Sequence, residues 1–132
     1  CIERNAQFLS PAEAIHGGMG CMKKGDAVVM VSRGGKTAEL LPIIEVCNKK
    51  EVILIGVTEN LDAPLAKNSQ IVVPMKIEKE SDGLNVMATA SFVATIAIFD
   101  AMLASIMETT GYSLEQFALI HPGGAVGSRL NG

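Results

Sequence analysis

Three short segments of the chain are apolar without interruption and rich in β-branched residues. They are residues 27–31, 52–57 and 71–73. Strands that do not alternate with polar residues are typical of a sheet covered on both faces, and therefore of a parallel sheet. Between the first two segments, residues 37–48 carry apolar side chains at helical spacing. The pattern therefore predicts a strand–helix–strand unit.

The second half of the chain is predominantly helical in its pattern. Asn60 can cap a short helix that runs through Lys67, and residues 88–110 predict a long, nearly all-apolar helix closed by Gly111. The long helix carries several polar residues, so we expect it to lie against the sheet or inside a subunit interface rather than in a membrane. A last helix is predicted over residues 113–119, which begin with a capping-box pattern.

Composition indicates one soluble globular domain over residues 1–132. The chain is 48% hydrophobic and has a formal net charge of -3, with its basic residues scattered. Nucleic acid is therefore not an expected partner, and neither is a membrane. The three cysteines show no metal-binding or Cys-x-x-Cys spacing, and no signal peptide is visible. We predict a cytoplasmic protein without metal or cofactor.

A glycine-rich loop over residues 32–37 leaves the first predicted strand and opens the following helix. Free backbone N–H groups and the positive end of the helix dipole converge at such a junction, so an anion such as phosphate is favoured there. Gly34 and Gly35 let the backbone come close to a ligand, and the hydroxyls of Ser32 and Thr37 can donate to phosphate oxygens.

Known nucleotide motifs do not fit this loop. It ends like a P-loop, but the earlier glycine of that motif would fall on Met30. A Gly-x-Gly-x-x-Gly fingerprint is also absent at this turn. A tight turn without a ligand remains an alternative. The ligand hypothesis is favoured because open parallel sheets bind ligands beyond the carboxyl ends of their strands.

Further polar side chains follow the third predicted strand and the last helix. The charged residues 77–82 precede Thr89 and Ser91, whose hydroxyls start the long helix and can help to hold an anion. A carboxylate here can act as a general base, although a solvated charged loop is the more common interpretation. His121, in a Pro-Gly-Gly turn, and His16 are further candidates for a functional role. A lone exposed histidine usually has no function, so the alternative for both is an ordinary surface side chain.

Five segments resemble, in order and spacing, the motifs of the SIS (sugar isomerase) domain family, most of all those of its arabinose-5-phosphate isomerase branch. They are residues 10–17, 32–40, 56–60, 77–80 and 121–127. The resemblance implies an α/β three-layer sandwich in which a parallel sheet of about five strands lies between helices. Three strands are clear and a fourth is expected around residues 7–9, so residues 1–132 would be an N-terminally incomplete SIS domain that lacks the first strand.

The resemblance also implies a role for each matching residue in binding a phosphorylated sugar. The matches to the phosphate-binding positions are Ser32, Gly34, Gly35, Lys36, Thr37, Thr89 and Ser91. His16 matches a further substrate contact, and the matches to catalytic positions are Glu39, Glu80 and His121. The implied reaction is aldose–ketose isomerisation, such as that of arabinose 5-phosphate and ribulose 5-phosphate, in a homodimer or homotetramer whose sites lie near subunit boundaries.

The chain departs from the family pattern within the site itself. Ser10 replaces a histidine, Gly34 replaces the middle serine of the phosphate loop, and Lys36 stands where many members have an acidic residue. Arg33 and Lys36 could replace the lost donor with charge-assisted contacts. Two alternatives therefore stay open: a non-catalytic sugar-phosphate sensor of a transcription regulator, and a SIS enzyme that acts on another phosphosugar.

Overall fold

The computed structural model describes residues 2–132, and Cys1 lies outside the described residues. The chain forms two compact units. One is residues 8–96, and the other joins residues 97–132 to the N-terminal residues up to Gln7. In chain order the elements are α1 (Pro11–Ala14), β1 (Ala27–Val31), α2 (Leu41–Lys50), β2 (Ile53–Thr58), α3 (Pro64–Asn68), β3 (Ile71–Pro74), α4 (Ala90–Thr110), α5 (Leu114–Ile120) and α6 (Gly124–Asn131).

The three strands form one parallel sheet in the order β1-β2-β3. Ala27 lies opposite Ile53, and Ile55 lies opposite Ile71. This confirms the predicted α/β class with a parallel sheet. The fourth strand expected around residues 7–9 does not form in the described chain, since this segment pairs with no strand and Phe8 is 90% exposed.

One face of the sheet carries the core of residues 8–96. Met30 of β1 and Leu54 of β2 are buried with Ile43 and Ile44 of α2 and Leu65 of α3. Their burial explains why the segment between β1 and β2 is helical, because helical spacing brings its apolar side chains to one side. Helices α2 and α3 therefore form a layer on this face.

The opposite face of the sheet is apolar but only partly covered in the described chain, where Val57 is buried on it. Val29, Val31, Ile53 and Ile71 lie on it, and each is more than one-third exposed. The sequence predicted helices on both faces, and residues 2–132 supply full cover for only one. The alternation of buried and exposed residues along β1 therefore reflects which elements are present and not the polarity of the side chains.

Helix α4 is much more exposed than the sequence predicted. Ser91 is its only buried residue within the described chain. The helix is long and apolar enough to cross a membrane by length and composition. An 18-residue stretch of it has a mean hydropathy of 1.9, and 6% of that stretch is buried. A helix that is apolar all round needs cover all round, and residues 2–132 do not supply it. Its expected position in a subunit interface stays a prediction.

Local chemistry explains two helix boundaries. Asn60 does not start a helix as predicted, because its side-chain oxygen accepts the amide of Asp62 at 3.0 Å in a turn, and α3 begins only at Pro64. At α5 the capping box is confirmed. The Gln116 amide donates to the Ser113 hydroxyl at 3.2 Å, and the Ser113 amide donates to the Gln116 side chain at 2.9 Å.

Gly35 is the one position in the glycine-rich loop where only glycine fits. Its φ is +67°, and a Cβ there would lie 2.6 Å from the Cβ of Ala63 and 2.8 Å from Oγ1 of Thr58. Both the backbone conformation and the close approach exclude a side chain. The neighbouring Gly34 is different, since a Cβ there would meet no atom within 4 Å.

Gly35→Ala should therefore lower the free energy of unfolding by about 1–3 kcal/mol, through backbone strain and overpacking. Gly34→Ala is the matched control and should change it by less than about 1 kcal/mol. Urea unfolding of both variants measures the difference. Equal destabilisation by the two substitutions would contradict the packing described for Gly35.

Candidate functional site

The glycine-rich loop gathers two hydroxyls at the carboxyl end of β1. The Ser32 side chain is buried, and its Oγ lies 2.8 Å from Oγ1 of Thr37. The amide of Gly35 donates to Ser32 Oγ at 3.1 Å, which closes the loop on itself. Gly34, Lys36 and Thr37 are exposed. The loop therefore presents hydroxyl, ammonium and backbone donors to solvent on a fixed scaffold.

The backbone of this loop is held by the ends of two neighbouring elements. The carbonyl of Arg33 accepts the Thr58 hydroxyl and the Glu59 amide, each at 3.0 Å, at the end of β2. The carbonyl of Gly35 accepts the amide of Leu65 at 3.0 Å in the first turn of α3. Both carbonyls are thus engaged by neighbouring elements, which restrains the conformation of the loop.

Glu80 lies between β3 and α4, and its carboxylate is directed at the start of α4. The residue is only 3% exposed. Its Oε2 accepts the amides of Thr89 and Ser91 at 3.0 and 3.1 Å and the Thr89 hydroxyl at 3.1 Å. Thr89 and Ser91, whose hydroxyls the sequence assigned to an anion, are therefore engaged by a side-chain carboxylate.

These contacts keep Glu80 ionised. The Ser91 hydroxyl, the amides of Ser91 and Thr89 and the Thr89 hydroxyl lower its pKa from 4.5 to about 2, and burial, which acts in the opposite direction, does not cancel them. Glu80 is therefore a carboxylate at neutral pH whose negative charge is stabilised by its hydrogen bonds.

Arg33 is engaged with carboxylates, whereas the sequence suggested that it contacts a phosphate. Its Nε donates to Glu59 at 2.7 Å, and its Nη1 donates to Glu80 at 3.1 Å. The hydrogen bond to Glu59 is the main cause that raises the pKa of Arg33 above its usual value. Of the two cations expected to replace the lost hydroxyl donor, Lys36 is exposed, and Arg33 is paired with Glu59 and Glu80.

The loop between Glu80 and α4 is organised by two residues that sequence reasoning missed. Asp82 accepts the amides of Leu84, Val86 and Met87 at 2.9 to 3.1 Å. Burial raises the pKa of Asp82, but these amides outweigh it and the net shift is downward. Asn85, at a φ of +58°, accepts the amide of Glu80 at 2.6 Å. Asp and Asn commonly hold turns in this way, which is the signal that could have identified them.

The remaining predicted residues lie outside this hydrogen-bonded network. Glu39 is exposed in a short 3-10 helix, Ala38–Leu40, and His16 is exposed just after α1. His121 belongs to the C-terminal unit, where its ring stacks on Phe117 at a centroid distance of 5.0 Å. Its Nδ1 is buried and has no hydrogen-bond partner among the described residues. The structure therefore joins Glu80, Thr89 and Ser91 to the glycine-rich loop through Arg33.

Comparison with known proteins identifies the class of domain to which this site belongs. The SIS domain family matches residues 2–105, and the chain belongs to that family. This match includes most of α4, so the long apolar helix is part of the family's domain.

Curated relatives are similar over nearly all of this chain. The chain is 37% identical to the arabinose 5-phosphate isomerase KdsD of Pseudomonas aeruginosa over 93% of its own length and 38% of the relative's. It is 35% identical to the arabinose 5-phosphate isomerase GutQ of Salmonella typhimurium over 95% and 39% of the two lengths. The chain thus spans less than two-fifths of the curated relatives that it matches.

Solved structures share the fold. A crystal structure of a candidate sugar-phosphate isomerase from Listeria monocytogenes superposes with a TM-score of 0.89 at 48% identity, over 93% of this chain and 64% of that one. An Escherichia coli CFT073 protein in complex with arabinose 5-phosphate gives a TM-score of 0.83 at 29% identity, over 87% and 61% of the two chains. These likenesses confirm the SIS fold for the described residues.

The lowered pKa of Glu80 implies that the free energy of unfolding decreases at acidic pH. Because the pKa is lower in the folded than in the unfolded chain, ionised Glu80 stabilises the fold above about pH 4.5, and this stabilisation is lost as the pH falls through about 2. We expect the free energy of unfolding to depend less on pH over this interval in Glu80→Gln than in the wild type. Glu78→Gln, which alters an exposed carboxyl two residues away, is the control.

Urea unfolding at several pH values measures this dependence. The Gln side chain can still accept from the start of α4, but its NH₂ group would face the Arg33 guanidinium. If wild type and Glu80→Gln show the same dependence of unfolding free energy on pH, ionised Glu80 does not stabilise the folded chain.

Proposed function

We propose that the protein is a sugar-phosphate isomerase and that residues 32–37 hold the phosphate of its substrate. The observation that carries this proposal is the pair of hydroxyls of Ser32 and Thr37, 2.8 Å apart in a pre-formed loop at the carboxyl end of β1. Ligands of open parallel sheets bind at this end of the strands. Exposed Lys36 adds a positive charge to the same loop.

We propose arabinose 5-phosphate and ribulose 5-phosphate as the substrate pair. The relatives from Pseudomonas aeruginosa and Salmonella typhimurium carry the name arabinose 5-phosphate isomerase, and the Escherichia coli structure holds this sugar phosphate. Gly34 leaves open space where a serine side chain would fit, so a phosphate in this site loses one hydroxyl donor. A SIS enzyme acting on another phosphosugar is therefore the alternative within the same class.

The reaction moves one proton between neighbouring carbons and one between their oxygens. A base removes the proton from the carbon beside the carbonyl while an acid protonates the carbonyl oxygen, which gives an enediol. A proton is then returned to the former carbonyl carbon, and the hydroxyl on the neighbouring carbon loses its proton to become the new carbonyl. Glu39 and His121 remain the predicted proton-transfer groups. Glu80, whose carboxylate is engaged by Thr89 and Ser91, remains the third predicted catalytic residue.

We also propose that the protein associates with copies of itself and is located in the cytoplasm. The uncovered apolar side chains of the sheet and of α4 support association with other copies of the chain, as a homodimer or homotetramer. Cys21 and Cys47 are free thiols, and this supports a reducing cytoplasm. We propose no direct contact of this domain with nucleic acid or membrane.

The test is turnover of the pentose phosphates by the full-length protein, followed by NMR. Wild type should interconvert ribulose 5-phosphate and arabinose 5-phosphate. Thr37→Val, which removes a hydroxyl at nearly constant volume, should raise KM about ten- to hundredfold because a hydrogen bond to a charged phosphate is lost. Thr109→Val is the matched control, since that hydroxyl is exposed and bonds to the Ser105 carbonyl of its own helix.

Different outcomes separate the alternatives. Turnover with an unchanged KM in Thr37→Val would remove the loop from phosphate binding. No turnover in wild type, combined with thermal stabilisation by sugar phosphates, would support the sensor. Turnover of other phosphosugars only would support an enzyme of different specificity.

A further inference from the structure

The carboxyl ends of the three parallel strands are joined by one guanidinium. Arg33 follows β1, Glu59 follows β2 and Glu80 follows β3. Nε of Arg33 donates to Glu59 at 2.7 Å, while Nη1 donates to Glu80 at 3.1 Å. Two nitrogens of one planar fork therefore contact carboxylates from the segments that follow two different strands.

The bridge also links the two elements predicted to surround the phosphate. Arg33 lies within the glycine-rich loop, next to Ser32. Oε1 of Glu80 faces Arg33, and Oε2 accepts the amides of Thr89 and Ser91 at the start of α4. A displacement of Arg33 would therefore change the spacing between the loop and α4.

We propose that Arg33 is a positioning residue, which holds Glu80 and the start of α4 at a fixed distance from the phosphate loop, and that Glu59 acts by orienting Arg33. This inference rests on the proposed function, because it concerns the geometry of the same phosphate site.

Burial distinguishes this network from an ordinary surface ion pair. The side chains of Arg33 and Glu59 are 36% and 32% exposed, and a pair of that kind alone contributes little. Glu80 is 3% exposed, and Arg33 is the one cation in contact with it among the described residues. The hydroxyls and amides of Ser91 and Thr89 are the leading causes of the low pKa of Glu80, so the distinctive contribution of Arg33 is to fix position.

Three variants test the bridge in the full-length protein, with KM, kcat and the dissociation constant of inorganic phosphate as readouts. Arg33→Met should raise KM and the phosphate dissociation constant about fivefold or more, with a smaller effect on kcat. Arg33→Lys should remain impaired, because a single ammonium does not reproduce a fork that reaches two carboxylates. Glu59→Gln should weaken binding in wild type and have no further effect in the Arg33→Met background.

Lys49→Met is the matched control, because it removes a cation from the exposed Lys49–Glu45 pair on α2. It should leave KM and kcat unchanged. Full recovery in Arg33→Lys would overturn the bridge, since charge alone would then suffice. Additive effects of the Arg33 and Glu59 substitutions would overturn the orienting role of Glu59.

A separate readout distinguishes failure of this inference from failure of the proposed function. Amide hydrogen exchange at Thr89 and Ser91 reports whether Glu80 stays in place, and it needs no substrate. Arg33→Met should accelerate exchange at both amides, whereas Lys49→Met should not. If wild type turns over no sugar phosphate and binds no phosphate, the proposed function fails, and these exchange rates alone support or overturn the positioning by Arg33.

Discussion

A carboxylate withdrawn from water must be compensated, and Glu80 imposes this requirement on the whole site. Its side chain is almost completely buried, and it accepts hydrogen bonds from the start of α4 and from Arg33. Meeting this requirement fixes the start of α4, orders the loop after β3 and orients the Arg33 guanidinium from the loop after β1. One buried charge thus determines how three segments of the chain meet.

The hydrogen bonds of Glu80 and Arg33 also determine which groups of the site remain available to a ligand. The first-turn amides of α4 are occupied by Glu80, so an incoming phosphate depends on the loop of residues 32–37 and its hydroxyls. Two carboxylates, Glu59 and Glu80, lie beside that loop, and Arg33 offsets part of their repulsion toward an anion. Exposed Lys36 remains available to the ligand. In the proposed function, the charge balance among these groups would influence how strongly a phosphorylated sugar binds.

The sequence predicted the parts of this structure that depend on local pattern. Unbroken apolar runs gave the three parallel strands, and the Ser113–Gln116 pair gave the start of α5. The pairing of Arg33 was not predictable, because its partners lie 26 and 47 residues away in the chain. The exposure of α4 was also missed, since the composition of an apolar helix indicates a need for cover without showing which element supplies it. Asp82 and Asn85 were overlooked because their role is to hold a loop that has no periodicity.

Binding of inorganic phosphate, followed by amide chemical shifts in the ¹⁵N-labelled protein, tests the central claim most directly. The largest and saturable changes are expected at the amides of residues 34–37, with smaller changes at Thr89 and Ser91, whose amides already bond to Glu80. Saturable changes confined to other parts of the chain, with residues 34–37 unaffected, would contradict a phosphate site in this loop.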